Sequence, residues 1–471
     1  MYREKIKNLV LIILVSIAIY SSSFIWLDLS FDTKGFNPVE SEIEEIFLWD
    51  KIKPSKVSVT DQYEYIIHDS DINESVWRAF RDIMFDMFRF AYSESDIQEA
   101  SPDSRTLRIY FDTSMPSELL IESFEMSNNR FQNVVSRILW IGYGVDSSKI
   151  YVNDGIKTYR LEITTNQQKL TDIYENIMIF ASNKYDTLFH YGPTASYIPI
   201  STNETALNPV FIKSEIDIED TINIENIAKN YFKDSFDYVR TTIDSSRTIN
   251  YIYRNEKVLR LYDEGLLEFY DSIESTKDDS SMYQSFLIAL NFIDDFLGFP
   301  DNAYLSQVTT FIEDGKYGYR FLFNQSLLER PIVFSQVRDE KAIQIDVIGS
   351  KVVFYQRFIR VVDVMMETEM AEVKVLSPQD IIENNIDFIT ELYLENPKNQ
   401  SLEFNEAKEK ILNGIHEIYL AYFDPSRRPK DQLMRSVWVI KTTDRNYVFN
   451  AITGAIIEEQ VVMQGVDNGL E

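Results

Sequence analysis

The chain has 471 residues, 45% apolar and 14% aromatic, with 46 Lys and Arg against 75 Asp and Glu for a formal net charge of −29. That charge excludes nucleic acid as a partner, because binding it needs phosphates neutralised by Lys and Arg, and it equally opposes anionic wall polymers and anionic lipid. The apolar content is too high for a disordered chain, and with no cysteine the fold must be held by its cores without disulfides.

The first element is Asn8 to Leu27, NLVLIILVSIAIYSSSFIWL, which carries no charge. About 20 apolar residues, at about 1.5 Å of rise each, cross a bilayer as a helix. Arg3, Lys5 and Lys7 precede the run against Glu4 alone, and Asp28 and Asp32 follow it. Positive flanks stay in the cytoplasm, so residues 1–7 are expected inside, 8–29 in the membrane, and the rest outside. Phe24, Ile25, Trp26 and Leu27 stand where a signal peptide would carry small residues for cleavage. The expectation is therefore an uncleaved anchor, with Tyr20 and Trp26 at the interface. Ala18 and Ser22 lie one turn apart and share a face with Leu11, Leu14, Val15 and Ile25. Small residues at that spacing let a second helix approach closely in lipid, although they also occur as filler in spanning helices.

Beyond the anchor, periodicity divides the chain into three regions, 30–201, 202–368 and 369–471. In the first, Glu42–Trp49 reads as a short amphipathic segment and Lys56–Val59 as a strand. A helix then starts at Asp71, with Asp71 and Glu74 as a capping box and Ile72, Val76, Phe80, Ile83, Met84, Met87 recurring every three or four residues. Leu107–Phe111 reads as a strand, Phe131–Trp140 as a helix, and Gly142-Tyr143-Gly144 as a turn. Asn153-Asp154-Gly155 signals a hairpin, Leu170–Phe180 a helix, and the Pro- and Ser-containing 190–209 a linker.

The second region alternates as strands at Ile249–Tyr253, Val258–Tyr262 and Leu266–Tyr270, the last two joined by Asp263-Glu264-Gly265. A helix over Tyr283–Leu297 stops at Gly298. Strands at Tyr317–Phe323, Ile332–Val337, Ala342–Val347 and Val352–Arg357 follow. In the third region Ser377 caps a helix that opens with Pro378. Phe404–Ile411 forms another helix, and strands follow at Ile415–Phe423, Val437–Lys441, Tyr447–Asn450 and Ala455–Gln460. Asp346–Val352 aligns on Asn450–Ile456, which suggests a duplication; antiparallel sheets share such turns by chance, so the alignment alone leaves it open.

No stretch carries recognisable chemistry. The three histidines, His68, His190 and His416, are solitary in sequence, so neither a metal centre nor a serine triad is expected. Gly142-Tyr143-Gly144 lacks the later glycine and lysine of a phosphate loop, and no EF-hand pattern occurs. The pairs Asp278-Asp279, Asp294-Asp295 and Glu458-Glu459 are adjacent rather than placed across a cleft as a glycosidase requires. The expectation is a protein without catalytic residues, cofactor or metal.

The chain resembles the YycH family of Gram-positive bacteria over essentially its whole length. The resemblance rests on the order of short motifs: Met1–Lys7 running into one anchor, Tyr231-Phe232-Lys233-Asp234, Leu259-Arg260-Leu261-Tyr262, Gly265–Tyr270 and Gly318-Tyr319-Arg320-Phe321. It continues through Ile343–Val347, Tyr355-Gln356-Arg357, Trp438-Val439-Ile440 and Asn450–Gly454. Ser436 departs from the family's Pro and puts a local turn in doubt. The resemblance implies a non-enzymatic accessory protein of the YycG/YycF (WalK/WalR) two-component system. It implies action with a second single-pass protein, YycI, on the sensor kinase in the membrane, in control of cell-wall homeostasis. It also implies an α+β class, one N-terminal transmembrane helix followed by three extracellular α+β domains with antiparallel sheets, the last two related. A different class of function, an extracellular module similar to PepSY domains that captures a peptide or wall fragment, and a third, an acidic wall hydrolase, are the alternatives.

Overall fold

A computed structural model of the chain describes residues 45–61, 64–67, 70–90, 96–126, 130–162, 167–184, 187–189, 198–200, 209–254, 256–273, 280–300, 302–328, 330–336, 341–363, 374–415, 417–425, 432–443 and 445–461. The expected anchor lies outside them, and among the described residues no helix is long and apolar enough to cross a membrane. Residues 1–48 and 49–471 are separate units; helix α1 (Glu45–Lys51) begins in the first, and all that follows concerns the second.

The alternating strands build antiparallel sheets and the three-to-four spacing builds helices that cover them, a mixed α+β fold. The first sheet has seven strands, β1 (Lys56–Thr60), β2 (Glu64–Ile67), β3 (Ile97–Glu99), β4 (Thr106–Pro116), β5 (Arg137–Gly144), β6 (Lys149–Asn153) and β7 (Thr158–Leu161). Their order is β2-β1-β4-β5-β6-β7-β3. Helices α2 (Ser70–Arg89) and α5 (Gln167–Lys184), with the short α3 (Ser117–Glu122) and α4 (Phe131–Val134) between them in sequence, complete this part. Both α2 and α5 pack on β1 and β4 and on each other, burying Val76, Phe80, Met84 and Met87 from the first and Leu170 and Tyr174 from the second.

The helix expected over 131–140 stops at Val134, and Arg137–Gly144 is strand β5 instead. This strand is paired on both sides and nearly all buried, so its apolar run has no alternation to betray it. Gly142 and Gly144 sit in this strand and not in a turn. A Cβ on Gly144 would lie 2.5 Å from Asp103 Oδ2 and 2.7 Å from Tyr151 Cε2, so these glycines permit close approach. The supposed linker contributes β9 (Ile198–Ile200), paired with β8 (Thr187–Phe189).

In the central part, β10 (Val210–Ser214) leads to α6 (Thr221–Phe232), capped by Asp220, whose Oδ1 accepts from Asn223 N at 3.1 Å. The meander β11 (Arg240–Ile243), β12 (Ile249–Tyr253), β13 (Lys257–Leu261) and β14 (Leu267–Asp271) follows. Helix α7 (Met282–Leu297) has the capping box of Ser281 and Gln284 and ends at Gly298. Then come β15 (Ala303–Glu313), β16 (Lys316–Leu327), β17 (Arg330–Phe334), β18 (Ile343–Ile348), β19 (Lys351–Arg357) and β20 (Arg360–Val362). α7 lies across β16, β18 and β19, with the Phe286 ring 5.2 Å from that of Phe321.

In the last part, α8 (Pro378–Glu395) and α9 (Phe404–Gly414) share a core, including Ile381, Ile411, Trp438 and Phe449, with β21 (Glu417–Asp424), β22 (Gln432–Lys441), β23 (Arg445–Asn450) and β24 (Ile456–Val461). Ser436 lies in mid-strand opposite Tyr422, so no turn depends on it. The central and last sheets are continuous: β17 pairs in parallel with β21, and β10 bridges β22 and β20.

Candidate functional site

Two buried arginines brace the central part, and the second of them also ties it to the last part. Arg357, at the end of β19, forks onto Glu215 with Nε to Oε2 and Nη2 to Oε1 both at 2.7 Å, and donates Nη1 to the Gly298 carbonyl at 2.8 Å. Burial opposes its charge, yet Tyr355 and Glu215 outweigh that and hold the guanidinium protonated above its ordinary value. Arg360, on β20, donates Nε to Asp424 Oδ2 of β21 at 2.6 Å and Nη1 to Ser214 Oγ of β10. The partners of both arginines belong to the fold that they hold.

Where the first sheet meets the other two lies a cavity of about 720 Å³, within the range of about 300–1,000 Å³ typical of small-molecule sites. β4 reaches it through an irregularity: its register with β5 shifts between Tyr110 and Met115, and such a bulge re-aims side chains. Thr113 Oγ1 there donates to the Ser306 carbonyl at 2.6 Å, and Asp112 Oδ2 accepts from Asn324 Nδ2 of β16 at 2.6 Å. The bulge thus docks the first sheet on the second.

Charges meet at the same place. Glu417 opens β21 directly across the ladder from Lys441, which closes β22, and the two pair at 3.0 Å. Glu417 also pairs with Lys56, which opens β1 in the other sheet. Lys441 Nζ lies 5.1 Å from the Tyr419 ring centre and Lys56 Nζ 5.1 Å from that of Tyr110. Burial pushes Glu417 up, but Lys441 and Lys56 outweigh it and hold its carboxyl well below the usual range. Burial raises Asp112, and the neighbouring Glu417 adds to that against Lys441. Burial likewise lifts the Tyr419 hydroxyl to about 12.

One wall is β17. It leaves its hairpin with β16 after two pairs, Leu327 with Arg330 and Ser326 with Pro331, so the two strands diverge around the cavity. Residues 331–336 all line it. Side chains alternate between faces of a strand, so a cavity touching odd and even positions alike sees the strand's edge. Two groups along that wall are held by β24 side chains: Gln460 Nε2 donates to the Phe334 carbonyl at 3.0 Å, and Glu458 Oε1 accepts from Gln336 N at 2.7 Å.

The residues singled out in sequence do not converge here. Leu11, Leu14, Val15, Ala18, Ser22 and Ile25, the three histidines and Asp278-Asp279 lie outside the described residues. Asp294 and Asp295 are exposed on α7, and Glu459 pairs with Arg445 at 2.7 Å. Among the described residues no cluster of His, Cys, Asp and Glu could hold a metal ion. Asp112, Lys56, Glu417 and Lys441 were not singled out. Each is a lone charged residue in or at the end of a strand; the β21–β22 ladder pairs Glu417 with Lys441, and only the docking of the sheets brings Lys56 and Asp112 to them.

No family model matches the chain, and no curated protein does. Among solved structures it is similar to the Bacillus megaterium YpeB C-terminal domain at 10% identity, with a TM-score of 0.26 over 50% of this chain and 96% of that one. At that level the likeness defines neither a family nor a function.

Proposed function

We propose that the chain is a non-catalytic regulator anchored in the cell membrane by residues 8–29, with its N-terminus cytoplasmic and its folded part outside. On this reading it acts with a YycI-like protein on a YycG (WalK) sensor kinase through the anchor helix and the exterior part. The observation that carries it is the uncharged run Asn8–Leu27 behind Arg3, Lys5 and Lys7, ahead of an acidic, cysteine-free chain. The resembling motifs support it, since those on described residues do structural work. Arg357 forks onto Glu215, Trp438 Nε1 donates to the Leu376 carbonyl at 3.0 Å, and Asn450 Oδ1 accepts from Ile452 N and Thr453 N at 2.9 Å each.

The test is co-purification of the full chain from membranes with the YycI-like protein and the kinase. Ala18→Ile with Ser22→Ile keeps the run apolar but blocks close approach, and is expected to weaken the complex by about 1–2 kcal/mol. Ile13→Leu with Ile17→Leu, on another face, is the control. Undiminished recovery of the double Ile variant would remove the anchor face as the interface. An exchange of the whole anchor for an unrelated apolar helix that left regulation intact would reduce it to a tether and favour the binding-module alternative.

A further inference from the structure

The junction cavity has features that the regulator reading leaves unused. Lys56 and Lys441 share a single carboxylate, Glu417, and each ammonium has three donors, so the pair keeps N–H groups in reserve at the cavity wall. Of the other acids lining the cavity, Asp112 and Glu74, Asp112 is held by Asn324 Nδ2 at 2.6 Å. Anion-binding capacity thus sits inside a chain of net charge −29.

The opposite wall sets the rest of the chemistry. β17 and the two residues after it face the cavity over residues 331–336, and the amide of Gln460 and the carboxylate of Glu458 already bond two backbone groups of this segment. An extended peptide makes the same kinds of bond to an exposed strand edge. Asn302, Asn324 and Asn446 also line the space, and a carboxamide both donates and accepts, as a peptide group does. Trp77 and Tyr304 add apolar surface for side chains.

We propose that this cavity binds a short peptide, its free carboxylate at Lys56 and Lys441 and its backbone along the edge of β17. This adds a ligand to the regulator proposed above and stands or falls separately from it.

The experiment uses the full chain in lipid nanodiscs and a mixed-sequence tripeptide library, offered once with free carboxylates and once amidated at the C-terminus. Retained peptides are read by mass spectrometry against empty nanodiscs. Free-acid peptides should be retained at least about tenfold over the amidated set, as expected when a buried charged partner is lost. Lys441→Met should abolish the difference. Because that change also disturbs the Glu417 pairing, Ser326→Trp, which fills the cavity from β16 and leaves the charged side chains in place, should abolish retention altogether. Equal retention of acid and amide would overturn the carboxylate site, and retention no greater than that of empty nanodiscs would overturn the peptide site itself.

Discussion

Arg360 and Asp424 face each other at 2.6 Å, with 1% and 0% of their side chains exposed, across the seam between β20 and β21. A buried pair repays its desolvation only while both members are present. Arg360→Met should therefore destabilise the folded part by about 3–5 kcal/mol, while Arg360→Met combined with Asp424→Leu should recover most of that loss. Denaturant unfolding of both variants, completed as a double-mutant cycle with Asp424→Leu alone, checks it. Additive losses would mean that the seam is held by packing and not by the pair.

Arg357 tests geometry at constant charge. Its fork meets both oxygens of Glu215 at 2.7 Å, which a lysine ammonium cannot reproduce. Arg357→Lys should cost about 1.5–3 kcal/mol, the worth of a hydrogen bond to a charged group, although the charge is retained. Unfolding midpoints of the parent and the variant decide it.

Local chemistry made most elements legible. The cap and stop of α7, at Ser281 and Gly298, and the hairpin at Gly155, with φ of 102°, follow from residue types that few other conformations accept. β15 was missed although Asp314-Gly315, both at positive φ, is a hairpin signal, and α6 was missed although Ile224, Ile227, Ala228 and Tyr231 follow helical spacing. The alignment of Asp346–Val352 on Asn450–Ile456 gains from the ladders. The extra residue in the last hairpin of each part is Val353 in β19 and Ile457 in β24, one step beyond the aligned ends, which supports duplication. The cavity was not legible, since Asp112, Asn324 and Glu417 meet only through bulges and sheet docking that leave no local periodic trace.

Gly265 and Gly155 separate backbone strain from space. Both sit at positive φ, 84° and 102°, where an L-residue costs about 1–2 kcal/mol. A Cβ on Gly155 meets nothing within 4 Å, whereas on Gly265 it would lie 2.4 Å from Ser214 Cβ and 2.6 Å from the Ile216 carbonyl. Gly155→Ala should show the strain alone. Gly265→Ala should add about 1–3 kcal/mol of overpacking, because Ser214 is itself held by Arg360. Equal shifts in melting temperature for the two variants would contradict the close approach.

The acids of the junction should respond to pH in opposite senses. Glu417 is held below its unfolded value by Lys441 and Lys56 against the effect of burial. Its contribution is therefore present above the unfolded value of about 4.3 and is lost as pH falls through the folded one. Asp112 is raised by burial, so its contribution is complete below about 3.9 and is lost as pH rises through its folded value. Asp112→Asn should accordingly raise the melting temperature at pH 7, where the parent carries the cost of that acid, and bring no gain at pH 3. Glu417→Gln should lower it at pH 7 and leave a smaller further loss on acidification than the parent shows. Melting curves of the three proteins from pH 3 to 8 give the comparison. A fall at pH 7 for Asp112→Asn would mean that the carboxylate is stabilised by Lys441 more than burial penalises it, which would reverse the sign argued here.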